Sequence, residues 1–219
     1  ETEAEMQSKL LKDAEIKSLQ AQVNPHFFFN AMNTISALVR IDSEKARELL
    51  LELSHFFRSN LQGSRQNTIT LEKELSQVSA YLSLEQARFP GRFDVTFDVP
   101  EDVTQALVPP FLIQILVENA VKHAFPKRKK DNRIRVVARV ENQQQLVISV
   151  CDNGQGIPKE KLSLLGQTAV ESESGTGSAL ENLNLRLKGL FSNDAVLHFD
   201  TSHTGTTVWC TLPYQQKEG

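Results

Sequence analysis

Asn24-Pro25-His26-Phe27-Phe28-Phe29 decides how the first part of this chain is interpreted, because it sets a histidine beside a proline inside a helix-patterned segment. Apolar or small residues recur around it at the alternating 3,4 spacing of a coiled-coil seam. The seam consists of Leu11, Ala14, Ser18, Ala21, Pro25, Phe28, Met32, Ile35 and Val39. His26 lies next to the seam, so the helix supports the imidazole without burying it. Pro25 lacks a backbone N–H and is expected to bend the helix just before the imidazole.

His26 is a candidate nucleophile. A neutral imidazole attacks well near neutral pH, because its unperturbed pKa is about 6.5. Its position beside the seam indicates a side chain displayed for chemistry. The alternative is a half-buried structural histidine next to a helix kink, and the N-terminal segment alone does not decide between the two.

Residues 1–66 are predicted to form a helical hairpin. Residues 40–43 interrupt the helical pattern, and Asp42 or Ser43 can cap the helix that follows. That helix carries a second apolar stripe, formed by Ala46, Leu49, Leu50, Leu53, Phe56 and Phe57. One hairpin cannot cover both of its apolar stripes, so a second copy is predicted to complete a four-helix bundle and make a homodimer.

From residue 67 onward the pattern becomes mixed α and β, after a polar and turn-rich stretch at residues 63–67. Thr70 can cap a helix that Pro90-Gly91 ends, and another helix follows Pro109-Pro110. Strands are predicted at residues 93–99, 134–140, 146–150, 195–199 and 206–212. Several strands follow one another without a helix between them, which favours an α+β fold with a mostly antiparallel or mixed sheet and helices on one face.

The composition limits which classes of protein this chain can belong to. The formal net charge is −3 and 40% of the residues are hydrophobic, which fits one or two soluble domains with a real core. No apolar run approaches the roughly 20 residues of a membrane span. No secretory signal is visible and the chain starts at Glu1, so it is interpreted as a fragment of something longer. Cys151 and Cys210 lie in strand-like runs and are expected to be buried thiols in a reducing compartment. The basic run Lys127-Arg128-Lys129-Lys130 is interpreted as a solvated loop, and nucleic-acid binding is not expected.

Asn119 falls on an apolar helical stripe together with Ile115 and Leu116. A buried amide without a partner costs about 1–3 kcal/mol. Asn119 therefore either bonds nearby backbone or ligates Mg²⁺, which takes oxygen donors when it is bound to phosphate. Lys122 and His123, a turn later, either meet phosphate charge or are ordinary surface residues.

A strand-like run leads into Cys151-Asp152-Asn153-Gly154-Gln155-Gly156-Ile157-Pro158. A carboxylate at a strand end, followed by the alternate glycines Gly154 and Gly156, suits a site where backbone closely approaches a flat ligand. Asp152 can accept a hydrogen bond from an exocyclic amine such as that of adenine. The alternative is an ordinary Asp-Asn-Gly turn.

Residues 159–174 are polar and form either a mobile lid over the ligand or a plain loop. They end in Ser174-Gly175-Thr176-Gly177-Ser178-Ala179-Leu180, which leads into a helix. Gly175 and Gly177 would present free N–H groups and the positive end of the helix dipole, which suits phosphate, although such segments are often only turns. The three signals in this order favour a nucleotide site more strongly than any one of them.

Four motifs together resemble the LytS/YehU-type sensor histidine kinases, over nearly the whole chain. They are Asn24-Pro25-His26-Phe27-Phe28-Phe29-Asn30, Glu118-Asn119-Ala120-Val121-Lys122-His123, Asp152-Asn153-Gly154-Gln155-Gly156 and Gly175-Thr176-Gly177-Ser178-Ala179-Leu180-Glu181-Asn182. The resemblance implies a dimerisation and histidine-phosphotransfer hairpin at residues 1–66, followed by an α/β sandwich ATP-binding domain of GHKL (Bergerat) type at residues 67–219. Such kinases are usually anchored by an N-terminal membrane sensor region. This chain lacks that region and is expected to be a soluble fragment from the cytoplasmic face of the bacterial cell membrane.

The resemblance also implies the chemistry. His26 takes the γ-phosphoryl group of ATP, with Mg²⁺ present, and passes it to an aspartate on the receiver domain of a response regulator. Asn119 matches the Mg²⁺ ligand and Asp152 matches the residue that recognises adenine. The other residues matched to the ATP site are Lys122, His123, Gly154, Gly156, Gly175, Thr176, Gly177 and Thr207.

Some positions depart from the pattern or add to it. Ala179 replaces a glycine that is common in the family, which leaves open a weakly active kinase or a nucleotide-binding scaffold. Phe27 stands where many other histidine kinases place an acid, so base assistance comes from elsewhere or is dispensable. Asn30, one turn beyond His26, is a candidate for orienting a water that dephosphorylates the regulator. Ile115 stands where ATP-hydrolysing machines of the gyrase or heat-shock type place a water-activating glutamate, which argues against ATP hydrolysis.

Overall fold

The computed structural model describes residues 24–125, 130–158, 160 and 176–217. The predicted seam up to Ala21, residues 127–129 of the basic run and nearly all of the polar segment 159–174 lie outside the described residues. The chain divides into two compact units. The first comprises Glu1–Gln66 and Ser79–Phe89, and the second comprises Asn67–Val78 and Pro90–Gly219.

Helix α1, Pro25–Leu38, begins inside the histidine motif. Asn24 is its N-cap, because the Asn24 Oδ1 accepts a hydrogen bond from the backbone N–H of His26 at 3.1 Å. Pro25 takes the first helical position, where the missing N–H would have no intrahelical partner anyway. The bend that Pro25 was predicted to make in a longer helix involves the residues before Asn24, which lie outside the described residues.

Helix α2, Ser43–Gly63, follows a short turn. Asp42 is its N-cap, as predicted, and accepts a hydrogen bond from the N–H of Lys45 at 3.0 Å. The two helices contact each other and bury a shared apolar stripe. Its buried members are Phe27, Ala31 and Ile35 of α1 and Ala46, Leu49, Leu53 and Phe56 of α2.

The seam predicted along α1 is only partly buried. Ile35 is 6% exposed, whereas Met32 is 36% and Val39 is 54% exposed. The stripe that faces α2 instead includes Phe27, whose ring centroid lies 5.1 Å from that of Phe56. Helix α1 therefore carries two neighbouring apolar stripes that share Ile35, and α2 covers the one that contains Phe27 and Ala31, which were not predicted to belong to the seam.

The second unit opens with β1 Ile69–Thr70, α3 Leu71–Arg88, β2 Asp94–Asp98 and β3 Leu107–Val108. The Thr70 Oγ1 accepts from the N–H of Lys73 at 3.4 Å, and Pro90 follows the end of the helix, both as predicted. Strands β1 and β3 pair antiparallel, and neither strand was predicted from the sequence. Helix α3 contributes residues 71–78 to the second unit and the rest to the first, while the domain boundary after residue 66 stays a prediction.

The remaining elements are α4 Leu112–His123, β4 Arg133–Glu141, β5 Gln145–Asp152, α5 Thr176–Phe191, β6 Val196–Ser202 and β7 Gly205–Pro213. The main sheet has the strand order β2-β4-β5-β7-β6. Strands β2 and β4 are parallel, and the other neighbours are antiparallel. Helix α4 contacts β5 and α5, so the two helices cover the sheet. The α+β prediction with a mixed sheet is confirmed.

The core of the second unit lies between this sheet and helices α4 and α5. Its fully buried side chains include Leu112, Ile113, Leu116, Ile134, Leu146, Ile148, Leu180, Leu183 and Leu187. Cys151 is half-buried and Cys210 is buried, and both are free thiols. Burial raises the pKa of Cys210 to about 12. Within the described residues, no helix combines the length and the apolar character needed to cross a membrane.

Candidate functional site

An open cleft lies in the second unit, beside the C-terminal half of α4, the end of β5 and the start of β7. Its lining is formed by Leu116, Asn119, Ala120, His123, Ala124, Val150, Asp152, Gly156, Ile157, Thr206 and Val208. Asn119, His123, Asp152 and Thr206 supply its polar side chains. The strand and helix side chains around them are apolar, which suits a flat ring with a few hydrogen-bonding groups.

Asp152 is the last residue of β5 and is half-buried in the cleft. The Asp152 Oδ1 accepts a hydrogen bond from the N–H of Gly154 at 2.9 Å, and the carboxylate also accepts from the backbone N–H of Thr206. Burial raises the pKa of Asp152, and the two N–H donors oppose that rise. A carboxylate has about four acceptor positions, so these two bonds orient it and leave capacity for a ligand.

Gly154 and Gly156 are required by the packing of the protein itself. A Cβ on Gly154 would overlap the backbone oxygen of Ala124, and one on Gly156 would overlap that of Ser202. Gly156 also has φ +78, a backbone conformation that favours glycine. The expectation that both glycines let the backbone approach a flat ligand stays a prediction. Their close approach is to the end of α4 and the end of β6, although Gly156 also lines the cleft.

Helix α4 presents one face to the cleft. Asn119 and His123 are four residues apart, so they share that face, and both line the cleft. Their contacts with metal and phosphate stay predictions. His123 is exposed, and its backbone oxygen accepts a hydrogen bond from the Gln155 Nε2 at 3.2 Å. Lys122 is half-buried and is not among the lining residues, so the structure does not bring it together with the others.

Thr206, and not Thr207, faces the cleft from β7. Thr206 pairs with Asp152 across the sheet, and Thr207 pairs with Cys151. Successive side chains of a strand point to opposite faces, so the one-residue difference puts Thr207 on the other side of the sheet. The predicted contact at Thr207 is wrong by one position.

The Gly-rich segment is only partly described. Gly175 lies outside the described residues, and Thr176 and Gly177 are the first residues of α5. The segment therefore leads into a helix as predicted, and the first N–H groups of that helix have no intrahelical acceptor. Ala179, where the family pattern has a glycine, is half-buried in the first turn.

His26 and Asn30 belong to the first unit. His26 is exposed on the first turn of α1, and Asn30 lies one turn further along and is half-buried. The backbone oxygen of Asn30 accepts a hydrogen bond from the Thr34 Oγ1 at 2.9 Å. Phe27, next to His26, is buried and anchors the turn that displays the imidazole.

Glu74, in α3, is a candidate that was not predicted from the sequence. It is fully buried, and its carboxylate accepts hydrogen bonds from three backbone N–H groups at the start of α4. A signal was present in the sequence, because Glu74 lies at helical spacing between the apolar residues Leu71 and Val78. An acid on an apolar stripe needs a buried partner.

The side chains of the cleft fit an adenine nucleotide with Mg²⁺. Asp152 offers acceptor positions for an exocyclic amine, and Val150 and Val208 offer apolar surface for a ring. Asn119 supplies the kind of oxygen that a hard cation takes. The adenine contact of Asp152 and the Mg²⁺ ligand Asn119 stay predictions.

Two protein families match the sequence. The histidine kinase family matches residues 14–93. The family of histidine kinase-, DNA gyrase B- and HSP90-like ATPases matches residues 111–216, which include α4, the cleft and most of the main sheet. Both matches agree with the order of the two regions in the sequence.

The chain is 70% identical, over 216 residues, to the sensor histidine kinase/phosphatase LytS of Staphylococcus aureus, in strains Mu50 and N315 among others. The match covers 99% of this chain and 37% of the relative. The chain therefore spans 37% of the length of the curated relatives that it matches.

Solved structures share the fold. The histidine kinase domain of the Erythrobacter litoralis EL346 blue-light activated kinase aligns with a TM-score of 0.51 and 20% identity, over 92% of this chain and 91% of that one. Full-length ShkA in complex with AMPPNP aligns with a TM-score of 0.53 and 19% identity, over 78% of this chain and 36% of that one. At these identities the likeness establishes the fold alone.

Proposed function

Because the chain belongs to the LytS-type sensor histidine kinases, we propose that it transfers the γ-phosphoryl group of ATP to His26 and then to an aspartate of a response regulator. The observation that carries the proposal is the presence, in one chain, of an exposed imidazole on the first turn of α1 and a cleft with the oriented carboxylate of Asp152. In the transfer a P–N bond forms at the imidazole and a P–O bond of ATP breaks, so that ADP leaves.

His26 requires no strong base for this step. A neutral imidazole attacks through an unprotonated nitrogen, and the neighbouring Phe27 has no group that accepts a proton. Positioning and charge neutralisation supply most of the catalysis in phosphoryl transfer. The chain's main task is therefore to hold the nucleotide in the cleft and the imidazole accessible.

Incubation of the chain with radiolabelled ATP and Mg²⁺ tests the proposal. We expect acid-labile, base-stable label on the protein, and we expect it to move to an added receiver domain. ATP binding without label would instead support a nucleotide-binding scaffold, the alternative that Ala179 favours.

Water-driven ATP hydrolysis is not expected. Ile115 lies one helical turn before Asn119 and is a half-buried apolar residue that cannot activate water. Glu118, which is adjacent to Asn119, accepts a hydrogen bond from the side chain of Gln114 at 3.1 Å. Because no acid stands at position 115, we expect the γ-phosphoryl group to be transferred to the imidazole and not to water.

Asn119→Ala is expected to remove most of the Mg²⁺-dependent part of nucleotide affinity, a loss of about tenfold, because the metal loses an oxygen ligand. Calorimetric titration with ADP, with and without Mg²⁺, measures this. Asn67→Ala, at an exposed position ahead of β1, is the control and should retain the wild-type response. Equal Mg²⁺ dependence in Asn119→Ala and the wild type would contradict the proposed role.

We also propose that the hairpin pairs with a second copy. An apolar stripe on the hairpin is exposed or half-buried in the single chain. It comprises Phe28 and Met32 of α1, the C-cap residue Val39, and Leu50, Phe57 and Leu61 of α2. The rings of Phe28 and Phe57 lie 5.3 Å apart, so the stripe is continuous across the two helices. A second hairpin would cover it and complete a four-helix bundle.

Leu50→Glu is expected to shift the chain from dimer to monomer, because Leu50 is 47% exposed on this stripe and a carboxylate cannot be buried there unpaired. Sedimentation at roughly tens of micromolar measures the shift. Glu48→Lys, an exposed position on the far side of α2, is the control and should remain dimeric. A wild type that is monomeric at this concentration would contradict the proposal.

Two further roles follow from the family. We propose that Asn30 orients a water that dephosphorylates the regulator, because it lies one turn from His26 and the LytS relatives are named as kinase/phosphatase. Regulator dephosphorylation by an Asn30→Ala variant tests this, and an unchanged rate would count against it. For the full-length protein we propose anchorage to the bacterial cell membrane through a sensor region, with the catalytic part on the cytoplasmic face, which cell fractionation tests.

A further inference from the structure

Glu74 caps α4 from outside that helix. Its Oε2 accepts a hydrogen bond from the N–H of Phe111 at 3.0 Å. Its Oε1 accepts from the N–H groups of Ile113 at 3.0 Å and Gln114 at 3.1 Å. Phe111 is the N-cap residue, with φ +68 and no side-chain cap of its own. A left-handed backbone conformation is costly for a bulky residue and persists only where the surrounding structure fixes it. The first N–H groups of α4 have no acceptor within the helix, and the Glu74 carboxylate supplies one.

Arg186, in α5, acts on the same carboxylate. Burial raises the pKa of Glu74, and the positive charge of Arg186 opposes that rise. The Arg186 Cζ lies 5.9 Å from the centroid of the Phe111 ring, so it also approaches the strained N-cap. Its Nε and Nη2 are buried and have no acceptor among the described residues. Buried donors without an acceptor are uncommon in proteins, so Arg186 differs from an ordinary surface arginine.

The cap is connected to the cleft through α4. Gln114, whose N–H is held by Glu74, donates from its Nε2 to the Glu118 Oε1 at 3.1 Å. Glu118 directly precedes Asn119, and α4 continues to His123, so two cleft residues follow on the same helix. A helix of 12 residues is short and stiff, so a displacement of its start is transmitted to these side chains.

We propose that Glu74 and Arg186 are positioning residues for the nucleotide site, with Glu74 fixing the start of α4 and Arg186 linking that cap to α5. Helix α5 contacts α4 and follows the Gly-rich segment, so the pair sets these two helices relative to each other. The inference rests on the proposed nucleotide-dependent function. Its test measures nucleotide binding and leaves phosphoryl transfer aside.

The hydrogen bonds define the charge state in which Glu74 acts. Its two oxygens accept from three N–H groups, which fits an ionised carboxylate better than a carboxyl group that must place a proton. Burial nevertheless raises the pKa of Glu74 from 4.5 to about 7, against the N–H donors and Arg186. The first turn of α4 has no charged residue, and α5 contributes Arg186. The cap is therefore expected to weaken as the pH falls from 8 to 6.

Glu74→Gln tests the inference. Glutamine has a similar shape but one acceptor oxygen, so at least one N–H of α4 would face an amide donor. At pH 8 the dissociation constant for ADP with Mg²⁺ is expected to rise about tenfold relative to the wild type. At pH 6 the ratio should approach one, because the wild type then carries a protonated carboxyl group, and the titration of ADP itself cancels in the ratio. Glu72→Gln is the matched control and should bind ADP as the wild type does. Glu72 is an exposed acid of the same helix, and its carboxylate accepts a hydrogen bond from the side chain of Gln105.

Stability measurements separate positioning from folding. The folded-state pKa of Glu74 lies above the ordinary value of 4.5, so the wild type loses unfolding free energy as the pH rises from 4.5 to about 7. The Glu74→Gln variant has no carboxyl group at this position, so it does not lose unfolding free energy in this way. Its stability relative to the wild type should therefore increase with pH while its relative nucleotide affinity decreases. A variant that had merely lost its fold would lose both together.

Arg186→Met provides a second, independent variant. It is expected to weaken nucleotide binding about as much as Glu74→Gln at pH 7, and the double variant should be no weaker than either, because both changes remove one shared arrangement. Arg186→Lys keeps the charge and should retain part of the affinity. Wild-type affinity in both Glu74→Gln and Arg186→Met at pH 8 would overturn this inference and leave the proposed function intact. A wild type that binds no ADP with Mg²⁺ would overturn both.

Discussion

His26→Gln is expected to abolish phosphoryl incorporation, so that no acid-labile, base-stable label remains on the chain after incubation with radiolabelled ATP and Mg²⁺. Glutamine is polar and similar in size, and it keeps the exposed first turn of α1 while removing the nucleophilic nitrogen. The loss should be complete, because positioning cannot replace the atom that forms the new bond. Quantification of label per protein chain measures it.

His55→Gln is the matched control, since His55 is another exposed histidine of the hairpin, in α2. It should be labelled as the wild type is. Titration with ADP shows whether each variant keeps its nucleotide cleft. Label that survives in His26→Gln would place the phosphoacceptor on another residue and contradict the proposed function.

The second unit was largely predictable because its elements leave strong periodic signals. Alternating apolar residues marked the strands of the main sheet, and Thr70 and Pro90 marked the two ends of α3. Strands β1 and β3 could not be found in this way. Each has two residues, which is too short for any period, and they pair only after the chain has folded between them.

The hairpin was predictable as a hairpin, but its packing was not. Phe27 and Phe28 are adjacent, and each begins an apolar stripe along α1. A sequence pattern does not tell which stripe the same chain covers and which one a second chain would cover. In the structure α2 covers the stripe of Phe27, and the predicted seam through Phe28 and Met32 is the more exposed one.

Within the cleft, the sequence identified the residues that stand at element ends or break an apolar stripe. Asp152 follows a strand and Asn119 interrupts an apolar helix face, and both line the cleft. Thr207 was predicted instead of Thr206 because a match to a family pattern can be wrong by one residue. In a strand, a shift of one residue moves the side chain to the opposite face of the sheet. Glu74 was missed because its partners on α4 lie 37 to 40 residues away, beyond the reach of local pattern.

Asp152→Asn is expected to weaken ATP binding by at least about 100-fold. In the wild type the carboxylate accepts hydrogen bonds from the N–H groups of Gly154 and Thr206 and keeps acceptor capacity for the exocyclic amine of adenine. Asparagine has one acceptor oxygen, so its amide NH₂ must face either a backbone donor or the amine. Calorimetric titration with ATP and Mg²⁺ measures the loss. Asp200→Asn, at an exposed position of β6, is the control and should bind as the wild type does.

The same substitution should also change base preference, which distinguishes recognition of adenine from a general loss of the cleft. Guanine carries a carbonyl oxygen where adenine carries its amine, so the wild-type carboxylate should reject GTP. The NH₂ group of Asp152→Asn can donate to that oxygen, and the ratio of ATP to GTP affinity should fall. As the pH is lowered the wild type should itself lose ATP affinity, because burial raises the pKa of Asp152 and the carboxylate takes up a proton, whereas the variant should lack this loss. ATP affinity and base preference that both survive in Asp152→Asn would mean that this carboxylate does not contact the base.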